Sequence, residues 1–89
     1  MRIRRSGRLL LVYDILRLIE DSGADGVTIS TIVMKANTTH DRAQRMLELL
    51  QERGFIHKCD RSYCLTQGGR DAVAQMRKLY HLAEALGLA

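Results

Sequence analysis

The sequence contains no proline, and only two of its 89 residues are cysteine. With proline absent, punctuation falls to glycine, at Gly23, Gly26, Gly54, the pair Gly68-Gly69, and Gly87. Cys59 and Cys64 are too few to staple the fold, and nothing points to an oxidising compartment, so both are expected as free thiols. Long apolar runs are missing too. Leu9 to Val12 is the longest clean stretch, far short of the roughly 20 residues of a membrane span. Asp14 and Arg17 interrupt the apolar run behind the Arg-rich start, and no small-residue cleavage site follows, so a signal peptide is not expected. A soluble, cytoplasmic protein is the expectation.

Motifs of chemistry are equally scarce. His57, Cys59 and Cys64 cluster in one hairpin stretch, where a metal or redox sensor is the alternative to ordinary strand side chains; the paired cysteine spacing of a structural zinc site is absent. A phosphate-cradling glycine loop and a helical His pair are absent. Thr39-His40-Asp41 has the residue types of a catalytic triad, yet neighbours on a helix diverge by about 100° and do not converge. No enzyme, no cofactor and no metal is expected.

What is present is a single domain's worth of chain. An apolar share of 46% beside 27% charged residues argues for a folded protein. A core this small stabilises only modestly, and oligomerisation is a common supplement. The net charge of +4 has a location. Arg2, Arg4, Arg5 and Arg8 hold four of the 14 basic residues, leaving ten against ten acidic ones elsewhere. The excess is therefore an N-terminal arm suited to phosphate or another anionic surface.

Apolar residues at Leu9, Leu11, Val12, Ile15, Leu16, Leu18 and Ile19 predict a first helix between Ser6 and Ser22. Val27 to Ile29 is a short β-prone stub. Thr28 or Ser30 caps a short second helix to about Ala36, and Ala36-Asn37-Thr38 is a tight turn. Thr39 caps a third helix, His40 to Arg53, with Ala43, Met46, Leu47 and Leu50 on one face and Gly54 as its stop. Two strands, residues 55–59 and 63–65, flank Asp60-Arg61-Ser62 as a hairpin. Thr66 caps a last helix to about Leu86, which tolerates Gly68 and Gly69 because they fall in its first turn. The predicted fold class is mainly α with a small β-hairpin: a winged helix-turn-helix with a C-terminal dimerisation helix. Residues 1–66 form the winged domain with its basic arm, and residues 67–89 the last helix.

The outward face of the third helix carries His40, Asp41, Arg42, Gln44, Arg45 and Glu48, concentrated in its first half. That is the end a recognition helix points into the major groove of double-stranded DNA. Arg42 and Arg45 have the fork to chelate guanine, and Gln44 the amide for adenine. Thr38 and Thr39 sit at the positive end of the helix, where a phosphate bonds. Lys58 and Arg61 near the hairpin tip suit a wing on the phosphate backbone, with Asp60 opposing. The expected role is a double-stranded DNA-binding protein, a transcriptional regulator or a chromatin-associated binder, which share this fold and which the residues do not separate. The alternative is a protein-interaction winged-helix module in a larger assembly, for which Asp41, Glu48 and Glu52 speak.

In the last helix, Ala72, Met76, Leu79, Ala83 and Leu86 step by four, three, four and three, the spacing of a coiled-coil seam. Val73 and Met76 are expected to pack on the domain. The outer part, Leu79 to Leu86, is expected to extend beyond it as a homodimer interface.

Ile32 to Asn37 leading into Thr38-Thr39, then Met46-Leu47, Leu50, Gly54-Phe55-Ile56, and Tyr63-Cys64-Leu65-Thr66 with Gly69 beyond, carry a resemblance. From about Leu9 to Leu82 the chain resembles the archaeal ArnR-like winged-helix family, which includes the small ten-a type DNA-binding proteins of Sulfolobus. The resemblance implies a winged helix that binds double-stranded DNA and dimerises through its C-terminal helix as an antiparallel coiled coil. The chain departs from that pattern in its shorter last helix and in lacking a glycine at the wing tip.

Overall fold

Threonine side chains start three of the four helices. In the computed structural model, which describes residues 7–88, α1 (Arg8–Ser22) runs through a single 3-10 turn, Gly23–Asp25, into α2 (Ile29–Lys35) and α3 (His40–Glu52). Strands β1 (Ile56–Cys59) and β2 (Ser62–Leu65) follow, and α4 (Gln67–Ala85) closes the chain. Thr28 Oγ1 accepts from the Thr31 N–H at 3.3 Å, Thr39 Oγ1 from the Arg42 N–H at 3.2 Å, and Thr66 Oγ1 from the Gly69 N–H at 3.0 Å. Each satisfies an N–H that the first helical turn leaves without a partner, worth about 1 kcal/mol. Ser30, the other candidate cap, lies inside α2. Arg2, Arg4 and Arg5 of the expected arm lie outside the described residues.

The turn between α2 and α3 is a helix-ending motif. Asn37 takes φ 52°, and the Thr38 N–H returns to the Val33 carbonyl at 3.1 Å. Asparagine is the non-glycine residue best suited to that left-handed backbone. The chain thereby reverses within a few residues and sets α3 across α2.

The hairpin is antiparallel, with Ile56 opposite Leu65, His57 opposite Cys64, Lys58 opposite Tyr63 and Cys59 opposite Ser62. Its loop is therefore two residues, Asp60-Arg61, where the sequence suggests three. The β-prone stub contributes one bridge: Val27 and Tyr63 exchange both backbone hydrogen bonds, at 3.0 and 2.8 Å. Cys59 and Cys64 are bonded to each other, so the free thiols expected from the sequence are absent.

Ile15, Leu16 and Ile19 of α1, Ile32 of α2, Ala43, Leu47 and Leu50 of α3, Ile56, and Val73 of α4 form one apolar core, and no described polar or charged residue is buried in it. Burial of each large aliphatic side chain contributes roughly 1.5–3 kcal/mol before conformational entropy is charged against it. α4 crosses back over α1. The rings of Tyr13 and Tyr80 stack at 4.6 Å between centroids, Arg17 lies 5.4 Å from the Tyr13 ring centre, and Arg77 pairs with Glu20.

Two expectations for α4 change. Gly69 is required rather than tolerated: a Cβ there would lie 2.0 Å from the Phe55 carbonyl oxygen, so α4 could not approach the start of β1. The outer part of the helix also has an internal partner, since Tyr80 and Ala83 are buried against the domain. No helix among the described residues is long and apolar enough to cross a membrane.

Candidate nucleic-acid interface

With Ala43, Met46, Leu47 and Leu50 turned inward, α3 presents His40, Asp41, Arg42, Arg45 and Glu48 exposed and Gln44 half-buried. Two pairs of these side chains bond along the helix surface. Arg45 meets Asp41 at 3.2 Å, and Gln44 Nε2 donates to Glu48 Oε1 at 3.2 Å. Both side chains of the Arg45–Asp41 pair are about four-fifths exposed (78% and 81%), so solvent screens it and a phosphate can compete for the guanidinium. Arg42 has no ion pair among the described residues.

The threonines before α3 differ. Thr39 Oγ1 is engaged as the cap of the helix. Thr38 Oγ1 is enclosed without a hydrogen-bond partner, so it does not present an outward donor. What remains for an anion at this end of α3 is the exposed arginine side and the positive pole of the helix.

A residue that the sequence assigns only to the arm belongs to this face. Arg8 is the first residue of α1 and lines an open cleft of about 340 Å³ together with Leu11, Arg42, Arg45 and Met46. Three arginines from two helices thus border one depression. The helical phase of α1 carries the signal, since Arg8 and Leu11 are three residues apart and share a face. The adjoining cleft, between α1 and the α2–α3 turn, contains Asp14, Asn37, Thr38 and Arg42. Burial pushes the Asp14 carboxyl above its ordinary value of 3.8, and Arg17 opposes the shift.

In the wing, Arg61 is exposed at the tip, and Lys58 projects with its Nζ 5.4 Å from the Tyr63 ring centre. Asp60, beside Arg61, takes φ 62°. The wing and the arginine-lined cleft are joined through the core, because Ile56 and Met46 belong to the same apolar cluster.

The five residues of the expected seam do not share one open face. Ala72 and Met76 are half-buried against the core and Ala83 is 4% exposed, whereas Leu79 and Leu86 are 47% and 63% exposed. Leu82, outside the expected set, is 57% exposed and falls between them. The open apolar stripe of α4 is therefore Leu79, Leu82 and Leu86. On its inner side, desolvation raises the pKa of Tyr80 above 10.0, with the charges of Asp14 and Tyr13 adding to the shift.

Among the described residues, no three His, Cys, Asp or Glu side chains come together to hold a metal ion. A family model described as winged helix-turn-helix matches residues 4–84 of the chain. A search of curated proteins finds no match.

Proposed function

The chain belongs to the winged helix-turn-helix family, and from that premise we propose that it binds double-stranded DNA as a homodimer and regulates transcription. In this reading α3 enters the major groove with Arg42, Arg45 and Gln44 toward base edges. Lys58 and Arg61 of the wing meet the phosphate backbone, joined by His40 at the start of α3, where Thr39 holds the helix cap. Arg2, Arg4 and Arg5 add sequence-independent contacts. The role is binding, without catalysis, in the cytoplasm. The observation that carries the reading is the convergence of Arg8, Arg42 and Arg45 on one cleft beside the exposed N-terminal half of α3. Three arginines border one cleft in the N-terminal half of α3, with the exposed Asp41 offsetting Arg45, an arrangement that favours an anionic partner.

The homodimer is supported by the Leu79–Leu82–Leu86 stripe, spaced three and four residues apart on α4. Two copies related by a two-fold axis cover each other's leucines and face an inverted repeat. The narrower likeness to the archaeal ArnR-like group is part of the same proposal and rests on the Tyr63-x-Leu65-Thr66-x-x-Gly69 stretch.

The test is a salt titration of binding to random-sequence duplex, followed by fluorescence anisotropy. Phosphate contacts from Arg8, Lys58 and Arg61 in one protomer give a log–log slope of about −2.7, at about −0.9 for each neutralised phosphate, and contacts from Arg2, Arg4 and Arg5 steepen it. Binding with no salt dependence, or no binding at low salt, refutes the proposal.

A further inference from the structure

The Cys59–Cys64 bond crosses the wing itself. Cys59 pairs with Ser62 and His57 with Cys64, so the two sulfurs lie on one face of the hairpin, on the diagonal between adjacent pairs of that face. This face is opposite the one that Ile56, Tyr63 and Leu65 turn to the core. It packs on the loop after α1, where a Cβ at Gly26 would lie 2.8 Å from Cys64 Sγ. An open cleft of about 440 Å³ runs beside the bond, lined by Ala24, His57, Cys59, Cys64 and Arg70 among others. Cys59 is half-buried and Cys64 is buried, so a reagent in the cleft meets Cys59 first.

Beyond Ile56, β1 has little else to hold it, whereas β2 is anchored by Tyr63 and Leu65 in the core and by the Val27 bridge. Each strand has four residues, and β1 pairs only with β2. Asp60 occupies a left-handed position in the two-residue turn where glycine is favoured. A two-stranded hairpin of this size is marginal without support. The same hairpin carries Lys58 and Arg61.

We infer that Cys59 and Cys64 form a redox-modification site, with small dithiols and disulfides as its substrate class, that sets how firmly the wing holds DNA. The inference rests on the DNA-binding reading above. In the reductive direction a dithiol's thiolate attacks Cys59 Sγ. The Cys59–Cys64 bond breaks, and Cys64 leaves with the electron pair and takes up a proton. Its Sγ lies 3.7 Å from the Ala24 carbonyl oxygen, which accepts from the new thiol. The dithiol's second thiolate then attacks its own sulfur in the mixed disulfide, so Cys59 leaves and is protonated while the reagent closes to a cyclic disulfide. Two electrons and two protons pass to the protein, and a disulfide oxidant reverses the sequence. Once the bond is open, β1 beyond its core residue Ile56 is held by the short ladder alone, and Lys58 and Arg61 are less firmly fixed in place. In a compartment kept reducing, the bond forms only on oxidation, and its state reports that change.

The experiment compares the full chain oxidised and after treatment with dithiothreitol, with two thiols confirmed by titration. Reduction is expected to weaken duplex binding several-fold and to flatten the salt slope by about 0.9 for each phosphate that Lys58 and Arg61 cease to neutralise. Cys59→Ser is expected to bind like the reduced protein and to ignore dithiothreitol. Equal affinity in both states of the wild type overturns the inference, as does a response of Cys59→Ser equal to that of the wild type. Backbone amide exchange at His57 and Cys64 separates the two readings. Unchanged exchange on reduction overturns the redox site even where DNA binding stands. Faster exchange with no duplex binding in either state keeps the redox control of the hairpin and overturns the DNA-binding reading.

Discussion

Arg8→Ala isolates the residue that joins the N-terminal end of α1 to the recognition surface. Arg8 is exposed at the first helical position, where alanine is a good helix former, so the fold is expected to persist. Arg8, Arg42 and Arg45 border the same cleft, and one phosphate contact from Arg8 contributes about 0.9 to the log–log salt slope. Between 50 and 200 mM salt, a fourfold change, that increment corresponds to about 3.5-fold in affinity. Wild type and variant therefore differ most at low salt, and the gap narrows by about 3.5-fold across this range. Arg42→Ala, which also removes a candidate base contact, lowers affinity for a selected site by a further 1–3 kcal/mol or so. Asp41→Asn has the opposite sign, because it removes a carboxylate that competes with phosphate for Arg45. Anisotropy titrations at four or so salt concentrations, with melting temperature as the control for folding, resolve all three variants. A slope for Arg8→Ala equal to that of the wild type, with the fold intact, refutes the assignment of Arg8 to the interface.

Three further expectations concern assembly, packing and pH. Leu82→Glu places a charge in the middle of the open stripe of α4; the variant is expected to sediment as a folded monomer whose melting temperature no longer depends on protein concentration, and a monomeric wild type at ~50 μM refutes the dimer. Gly69→Ala forces a Cβ to within 2.0 Å of the Phe55 carbonyl oxygen and is expected to lower stability by about 2–3 kcal/mol in denaturant unfolding. Gly68→Ala, whose Cβ meets nothing nearer than 3.4 Å, should leave stability almost unchanged, and equal losses for the two would contradict the packing argument. Asp14 has a folded-state pKa raised above 3.8 by burial, so the folded state holds its proton more tightly than the unfolded chain does. Stability therefore falls as pH rises from below 3.8 through the folded-state pKa. Asp14→Asn is expected to be more stable than wild type at neutral pH, with the difference vanishing in acid, and a constant difference across pH refutes this account.

The elements themselves are legible because local signals agree: the threonine caps, the inward face of α3 and the tight turn at Asn37 follow from residue types and helical phase. The disulfide is hidden by one residue of register. A three-residue loop, 60–62, places Cys59 opposite Tyr63 and sends Cys64 to the other face of the hairpin. The two-residue loop returns both sulfurs to one side. The dimer seam is obscured for a different reason. At about 100° per residue, the buried row Gly69, Val73, Tyr80 and Ala83 and the open row Leu79, Leu82 and Leu86 lie roughly a third of a turn apart. Both rows are apolar, so a heptad pattern drawn across them mixes residues that serve the core with residues that face out. Arg8 escapes notice because charge counting groups it with Arg2, Arg4 and Arg5, whereas the helix that begins at Arg8 turns it toward α3.

Thr66 is the joint of the molecule. Its hydroxyl donates to the Gly54 carbonyl at 2.5 Å and accepts from the Gly69 N–H, while its own N–H bonds to the Phe55 carbonyl at 3.1 Å. The exit from α3, the root of the wing and the entry to α4 are thus clamped at one residue, and the three behave as a single solid lever. These bonds fix α3, the wing and α4 to one another at that point. In the proposed dimer, the distance between the two reading heads is a ruler graduated by the leucines of α4 alone. Selection can therefore retune operator spacing by altering that stripe without disturbing which bases are read.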